Sequence, residues 1–516
     1  MTQDKSAKEA SRLAEKRARE AQAQHTPEQG PREFTSEEIL DAHNNNEKGD
    51  ARLLLAAMQD KFVFDAKRAC FFRFENGHWT KDLENESLAS AGRILNDVYS
   101  LEAARQDKIY NDPISDEETK KTAAFWRDKL NRRRDKINSL HRQQNVLKLA
   151  ASGLDGLIIT GDEWNRDPWS IQARDLLIDL KTGEARPGLP GDFINKSAKA
   201  EWKGLHEPAQ CWHESLLSIF NLDETLTSYV LRLLGAALVG NPGQQEFYIF
   251  WGEGRNGKGT ILETLKEVLG EGLAGPIKSE MIMDARMFGS NGANPELLDL
   301  QGKRIVWASE TKEGQKLNSE KVKLFSGGDS LSGRLNYSNE IVSFRPTHTL
   351  FMLTNHKPRI APGDTALWDR LRLIPFLVRF VNNPSRANER PKNIRLQEKL
   401  LQEASGILAS LVRGCLEYQR EGLNPPEIVT EFGKEYLLDE DPVQQFINAQ
   451  CYTGTGYKAQ AKPLYEAFAE WFIETYGAKT TVPSLKRFSD RLRRTYRRED
   501  GRNVWFHGIA LRADDE

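Results

Sequence analysis

The chain has 516 residues, 39% hydrophobic and 29% charged, and its 73 Lys and Arg against 75 Asp and Glu leave a net charge of -2. That length makes room for about three domains with real cores; the composition is globular and excludes a low-complexity chain, and the near-neutral balance gives no hint of a polyanion partner, for which a local basic face would suffice. No run approaches the roughly 18 apolar residues of a membrane span, the N-terminus lacks the apolar stretch of a signal peptide, and Cys70, Cys211, Cys415 and Cys451 are too scattered for a zinc site or a disulfide framework; a cytoplasmic protein with no membrane partner is expected.

Residues 1–33 contain no aromatic side chain and are crowded with Lys, Arg, Glu, Gln and Ala, the composition of a disordered charged tail. An α+β accessory domain is expected over 34–212. It opens on Thr35-Ser36-Glu37-Glu38, a capped helix start with acids at its positive end. The strand-like Phe71-Phe72-Arg73-Phe74 follows, then an Asn76-Gly77 turn and Trp79, the pattern of a hairpin. Charged helices fill about 84–150, and 176–180 turns back at Lys181-Thr182-Gly183.

From 213 to 380 the pattern changes to an α/β core. A helical stretch at about 213–239 precedes the short apolar runs 246–251, 304–308, 349–353 and 373–377. Strands separated by helical segments predict a mostly parallel sheet. The last region, 381–516, is helical from about 394 to 421. Over 460–512 it reads as two or three helices and a final hairpin, a winged-helix arrangement.

The strongest signal is Gly252-Glu253-Gly254-Arg255-Asn256-Gly257-Lys258-Gly259-Thr260, directly after the strand at 246–251 and before the helical run ILETLKEVL. Small residues let successive backbone N–H groups curl around a phosphate, the lysine neutralises the outer phosphates, and the helix offers its positive end. ATP is the expected ligand. The hydroxyl that usually follows the lysine and ligates Mg²⁺ is absent at Gly259, with Thr260 one place later, so Thr260 is placed at the phosphates and is one candidate for the metal.

Phosphoryl transfer to water also needs a group to polarise the water, a detector of the outer phosphate, and positive charge at the transition state. Glu310 ends the apolar strand RIVWASE and is the candidate carboxylate for the water, and with Thr260 for Mg²⁺. Asn355 ends TLFMLTN and is the candidate sensor. Arg370, in WDRLR, is the candidate arginine finger, with Arg372 as its alternative.

Together these residues resemble a superfamily 3 helicase, most closely the C-terminal portion of phage and plasmid primase–helicases, related to the poxvirus helicase–primase. The resemblance rests on GEGRNGKGT, RIVWASET, KLFSGGDSLSGR, TLFMLTNHKP and WDRLRLIPF, and extends to Gly49-Asp50-Ala51-Arg52, Asn76-Gly77-His78-Trp79 and Glu403-Ala404-Ser405-Gly406. It covers about residue 40 to the C-terminus, with no primase catalytic domain expected before that point and Asp175-Leu176 standing where the family often has Asn-Gly.

The resemblance implies an AAA+-like core assembled as a ring, usually a hexamer, that translocates on single-stranded DNA in a bacterial host. Lys258, Glu310 and Asn355 would act on one side of a nucleotide shared between subunits, and Arg370 would come from the next. It also implies a pore hairpin between the Glu310 and Asn355 strands, with its tip at Ser338-Asn339-Glu340. Arg334, Arg345, Lys357 and Arg359 become candidate DNA contacts.

A second candidate surface is C-terminal. Between Lys486 and Arg502 eight basic side chains stand against three acids, a local charge of +5. Leu485, Phe488 and Leu492 give this helix an apolar side, leaving Lys486, Arg487, Arg491 and Arg494 on its outer face. Such a face contacts fork or origin DNA phosphates, docks a partner, or stays solvated. The competing functions are a replicative DNA helicase working with a separate primase or polymerase, an initiator that melts or loads DNA without processive unwinding, and, because GKGT also occurs in them, a nucleotide kinase.

Overall fold

The computed structural model describes residues 32–153, 155–240, 245–284, 295–309, 315–334, 341–361, 364–477 and 481–512. The charged tail, Glu310 and the hairpin tip at 338–340 lie outside the described residues, as does the side chain of Arg334.

Helices α1 (Ser36–Asn44) and α2 (Asn46–Met58) open the described chain. Thr35 and Glu38 form a reciprocal capping box at the start of α1. Strands β1 (Phe62–Asp65), β2 (Cys70–Glu75) and β3 (His78–Lys81) follow, then α3 (Glu86–Asn111), α4 (Glu117–Ile137), α5 (Leu140–Ala150) and β4 (Ile158–Ile159). The β2–β3 turn places Asn76 and Gly77 at φ +51° and +77°, the pair of positive values that makes Asn-Gly a hairpin signal. Inside the helical part Asp50 is fully buried, bonded by Arg133 at 3.0 Å, Arg142 at 2.6 Å and the Tyr99 hydroxyl at 2.5 Å. A carboxylate there requires all of these donors, because an unpaired buried charge costs several kcal/mol.

A small antiparallel sheet of β5 (Ser170–Gln172), β6 (Leu177–Asp179) and β7 (Ala185–Arg186) leads to α6 (Gln210–Ile219) and α7 (Glu224–Ala236). The central sheet then forms from β8 (Phe247–Trp251), β9 (Ala274–Ile277), β10 (Ile305–Ser309), β13 (Thr349–Thr354) and β14 (Leu371–Pro375), in the order β14-β8-β13-β10-β9. Every pairing in it is parallel. Between β10 and β13 lie α10 (Ser319–Ser326) and the hairpin β11 (Leu331–Arg334) and β12 (Ile341–Phe344); α9 (Pro295–Leu298) precedes β10 and α11 (Thr365–Arg370) precedes β14. Helix α8 (Lys258–Leu269) connects β8 to β9.

The inner strands β8, β10 and β13 read as continuous apolar runs because both sheet faces are covered. Phe247 and Ile249 point into one core with Val306, Met352 and Leu373. Tyr248 and Phe250 point into the other with Ile261, Leu265, Leu234 and Leu411, as alternation along a strand demands. The second core also holds Ile171, Ile178 and Trp202, so β5–β7 pack with the central sheet. The short parallel pair β15 (Arg379–Val381) and β16 (Glu389–Pro391) and helices α12 (Leu396–Gln402), α13 (Ala404–Glu421) and α14 (Glu427–Asp439) complete this part.

The C-terminal elements are α15 (Pro442–Gln450), β17 (Cys451–Gln460), α16 (Ala461–Tyr476), α17 (Leu485–Leu492), β18 (Arg497–Glu499) and β19 (Trp505–Leu511); the strand order is β17-β19-β18. They close a separate core around Phe446, Phe468, Phe488 and Phe506. Phe488 and Leu492 lie in it, whereas Leu485 is 41% exposed at the first turn of α17.

Candidate functional site

The segment Gly252–Gly257 joins the tip of β8 to α8, and its shape is held from three sides. The Gly252 N–H donates to the Thr354 carbonyl at 3.3 Å, the buried Asn256 amide donates to the Phe376 carbonyl at 3.2 Å, and the Phe380 N–H donates to the Arg255 carbonyl at 2.7 Å. Arg255 and Gly257 both have positive φ, +66° and +90°. At Gly257 a Cβ would also lie 2.6 Å from the Ile219 side chain of α6, so glycine is required there twice over.

Lys258 is the first residue of α8 and is only 7% exposed. Its ammonium donates to the carbonyls of Gly252 and Glu253 and, at 3.0 Å, to Asn355 Oδ1 at the end of β13. Burial pushes its pKa down to about 8, since a desolvated ammonium is disfavoured relative to the neutral amine. The pairings Trp251↔Thr354 and Ser309↔Leu353 put the ends of β8, β13 and β10 side by side. A cavity of about 330 Å³ results, lined by 254–260, Ser309, Leu353, Thr354 and Asn355. The first N–H groups of α8 have no partner inside the helix, and a helix N-terminus of this kind favours negative charge.

A larger cavity, about 540 Å³, borders the same loop. Arg255, Gly257 and Thr260 line both, and Ser215, Asn393 and Gln397 are among the further residues of the second. No local pattern marks 391–399 as part of a site; the segment arrives there through tertiary structure. Gly259 is exposed, and a Cβ on it would meet nothing within 4 Å. Among the described residues no group of three or more His, Cys, Asp or Glu side chains could hold a metal ion.

The structure separates the arginines from this site. Arg370 Nη1 donates to the Lys323 carbonyl at 3.1 Å and Nη2 to Gln245, while Arg372 pairs with Glu246 at 2.7 Å. Leu371 is opposite Phe247 and Pro375 opposite Trp251, so Arg370 and Arg372 lie at the far end of the sheet from Lys258. Four residues of strand make that about 13 Å.

Of the expected nucleic-acid contacts, Arg345, Arg359, Lys486, Arg487 and Arg494 are exposed, and Arg334 pairs through its backbone with Ile341. Lys357 instead bridges to Asp439 of α14 at 2.7 Å, its ammonium 5.1 Å from the Trp251 ring centroid. Arg491 bonds Asp441, the N-cap of α15, at 2.6 Å and Gln444 at 3.2 Å. Both hold one element against another.

Residues 51–221 match the family described as D5 N terminal like. The helicase-named protein L207/L206 of Acanthamoeba polyphaga mimivirus is 26% identical over 81% of this chain and 45% of its own length. The helicase-named 121R of Invertebrate iridescent virus 3 is 22% identical over 72% and 42%, and primase D5 of Fowlpox virus is 28% identical over 33% and 22%. The chain thus spans less than half the length of these relatives. The solved apo structure of the NrS-1 C terminal region (305-718) aligns with 89% of this chain and 99% of that one at 13% identity and a TM-score of 0.43, too loose a likeness to carry an argument. The relatives named here are viral, and the bacterial host expected from the sequence finds no support among them. No described helix is long and apolar enough to cross a membrane. By sequence the chain is similar to viral proteins named helicase and to a poxvirus primase D5, the group its motifs resemble, and its residues 51–221 match the D5 N terminal like family.

Proposed function

We propose that this chain is an ATP-dependent DNA helicase of superfamily 3, with an AAA+-like core that works as a ring on single-stranded DNA of a viral or other mobile element. The observation that carries the reading is the Lys258 ammonium, buried at the N-terminus of α8 and bonded at 3.0 Å to Asn355 from the neighbouring parallel strand. In the proposal the N–H groups of 254–259 hold the phosphates and Lys258 leaves its carbonyl partners for the outer ones. Asn355, released from Lys258, senses the γ-phosphate, and Glu310, directly after β10, polarises the attacking water. Thr260 and Glu310 would hold Mg²⁺, which neutralises phosphate charge. The larger cavity, sharing Arg255, Gly257 and Thr260 with the first, would take the base and ribose. Arg370, at the far end of its own sheet, would act on a neighbouring subunit's nucleotide. The winged-helix module, with Lys486, Arg487 and Arg494 outward, would meet fork or origin DNA, and priming would fall to a separate domain or protein.

The direct test is Lys258→Ala, which is expected to reduce DNA-stimulated ATP hydrolysis to background while leaving the melting temperature near that of the wild type. Full turnover in this variant would reject the site. The same lysine gives a pH signature. Its pKa near 8 should rise when phosphates surround it, so nucleotide binding takes up part of a proton between the two values. Calorimetry at pH 8.5 in buffers of different ionisation enthalpy should show that uptake, with affinity falling as pH rises through 8, and Lys258→Ala should show neither. Strand displacement on tailed forks then distinguishes a helicase from a factor that only melts or loads.

A further inference from the structure

The C-terminal sheet has one face in the core and one in solvent, and the solvent face has an unusual composition. Strands β17 and β19 pair from Cys451↔Leu511 to Thr453↔Ile509, then resume at Lys458↔His507. Four residues of β17, Gly454 to Tyr457, therefore stand against Gly508 alone. A bulge of that size bends the strand and re-aims its side chains, and Gly456, at φ +100°, supplies the conformation it needs. The bend brings Tyr457 over Tyr452. Their ring centroids are 5.8 Å apart and their planes 17° from parallel, with 43% and 46% of each residue exposed.

One cation flanks this pair and another flanks Trp505 on the same sheet. Arg512 lies 5.7 Å from the Tyr452 centroid and Lys458 lies 5.0 Å from that of Trp505. Exposed Arg497 of β18 is opposite His507. Within β17, β18 and β19 the one acid is Glu499, and it is bonded to His507 at 2.6 Å. The opposite face supplies Phe506 and Ile509 to the core, so stability needs apolar groups there and gives no reason for stacked tyrosines outside. Sequence-tolerant binding of single strands uses this combination, flat π-faces for bases among positive charges for the backbone.

We propose that the outward face of the β17–β19–β18 sheet, with Tyr452, Tyr457, Trp505, Lys458, Arg497 and Arg512, is a stacking platform for single-stranded nucleic acid. It is distinct from the basic face of α17, which lacks aromatic side chains and suits duplex phosphates. The platform depends on the proposal above only in that the chain meets DNA, and it needs no nucleotide.

The test is equilibrium binding of a fluorescein-labelled oligothymidine of about 20 nucleotides to the full chain without ATP. It is run in the Lys258→Ala background, so that failure of the ATPase reading cannot affect it. Y452A/Y457A should weaken binding by about tenfold or more, the effect expected from removing two stacking rings, with an unchanged melting temperature and an unchanged salt slope. Y452F/Y457F should bind as the parent does, and Lys458→Ala should reduce the salt slope by about 0.7, the share of one phosphate contact on a single strand. Photocrosslinking of 5-iododeoxyuridine oligomers should label Tyr452, Tyr457 or Trp505. Parent-like binding by Y452A/Y457A, or crosslinks confined to other parts of the chain, would overturn the platform. No binding by the parent chain at all would overturn the DNA reading with it.

Discussion

A Cβ at position 257 would collide with Ile219 at 2.6 Å on a backbone held at φ +90°, whereas two residues later a Cβ meets nothing within 4 Å. The two glycines of one loop are therefore predicted to behave oppositely. Gly257→Ala should cost about 1–3 kcal/mol and weaken nucleotide binding. Gly259→Ser should melt within a degree or two of the wild type, because a serine inside a helix start is no worse than glycine. Thermal melts of the two purified variants check this directly, and equal losses would contradict the described loop. The loop was legible in the sequence because glycine spacing records backbone conformation and nearby crowding. The bond from Lys258 to Asn355 was not, since those residues are 97 apart in the chain and neither alone names the other. Lys357 and Arg491 teach the same lesson: the sequence shows a cation, and only the fold shows the Asp439 and Asp441 that engage it.

Strands buried on both faces were readable as apolar runs, and β8, β10, β13 and β14 lie where those runs predict, within about two residues. Strand β9 was not readable. It is Ala-Gly-Pro-Ile, with Pro276 opposite Trp307 at the sheet edge, a position where the missing N–H costs no ladder bond. Helix pairing is similarly hidden. Helices α7 and α13 cross where a Cβ on Gly235 would lie 2.2 Å from the Cys415 nitrogen, and one on Gly414 would lie 2.2 Å from the Leu231 carbonyl oxygen. Backbone contacts this close cannot accept a methyl group without moving the helices apart, and α7 and α13 share the core that covers one face of the central sheet. Gly414→Ala is expected to destabilise the chain by about 2 kcal/mol or more despite alanine's better helix propensity. Urea unfolding should show a lower midpoint, and a stabilised variant would mean that the helices do not cross there.

Over the whole molecule, a net charge of -2 conceals a division of labour between ends of one sheet and between separate cores. The C-terminal ends of β8, β10 and β13 gather the glycine loop, Lys258 and Asn355, while Arg370 sits at the opposite end among Gln245 and the Lys323 carbonyl. No sequence pattern reports which end of a strand faces which neighbour, so motif order alone left the finger open between Arg370 and Arg372, and left open whether either is more than a surface ion pair. About 13 Å of sheet lies between Arg370 and its own loop, the separation expected under the proposal that it acts on a neighbouring subunit's nucleotide. An arginine acting across an interface can be supplied by a different subunit from the one that binds the nucleotide. Arg370→Ala should keep nucleotide affinity near that of the wild type and lose hydrolysis by about 10³-fold or more. Glu310→Gln should also be inactive. In mixed rings, however, an Arg370→Ala subunit with its intact loop will sometimes meet the intact arginine of a Glu310→Gln neighbour, so activity should return and pass through a maximum near equal proportions. A ring built on contacts within each subunit would give no recovery at any ratio. Arg372→Ala, run alongside, identifies the working arginine: the variant that loses turnover yet complements carries the finger, and one that only lowers the melting temperature was holding Glu246 in place.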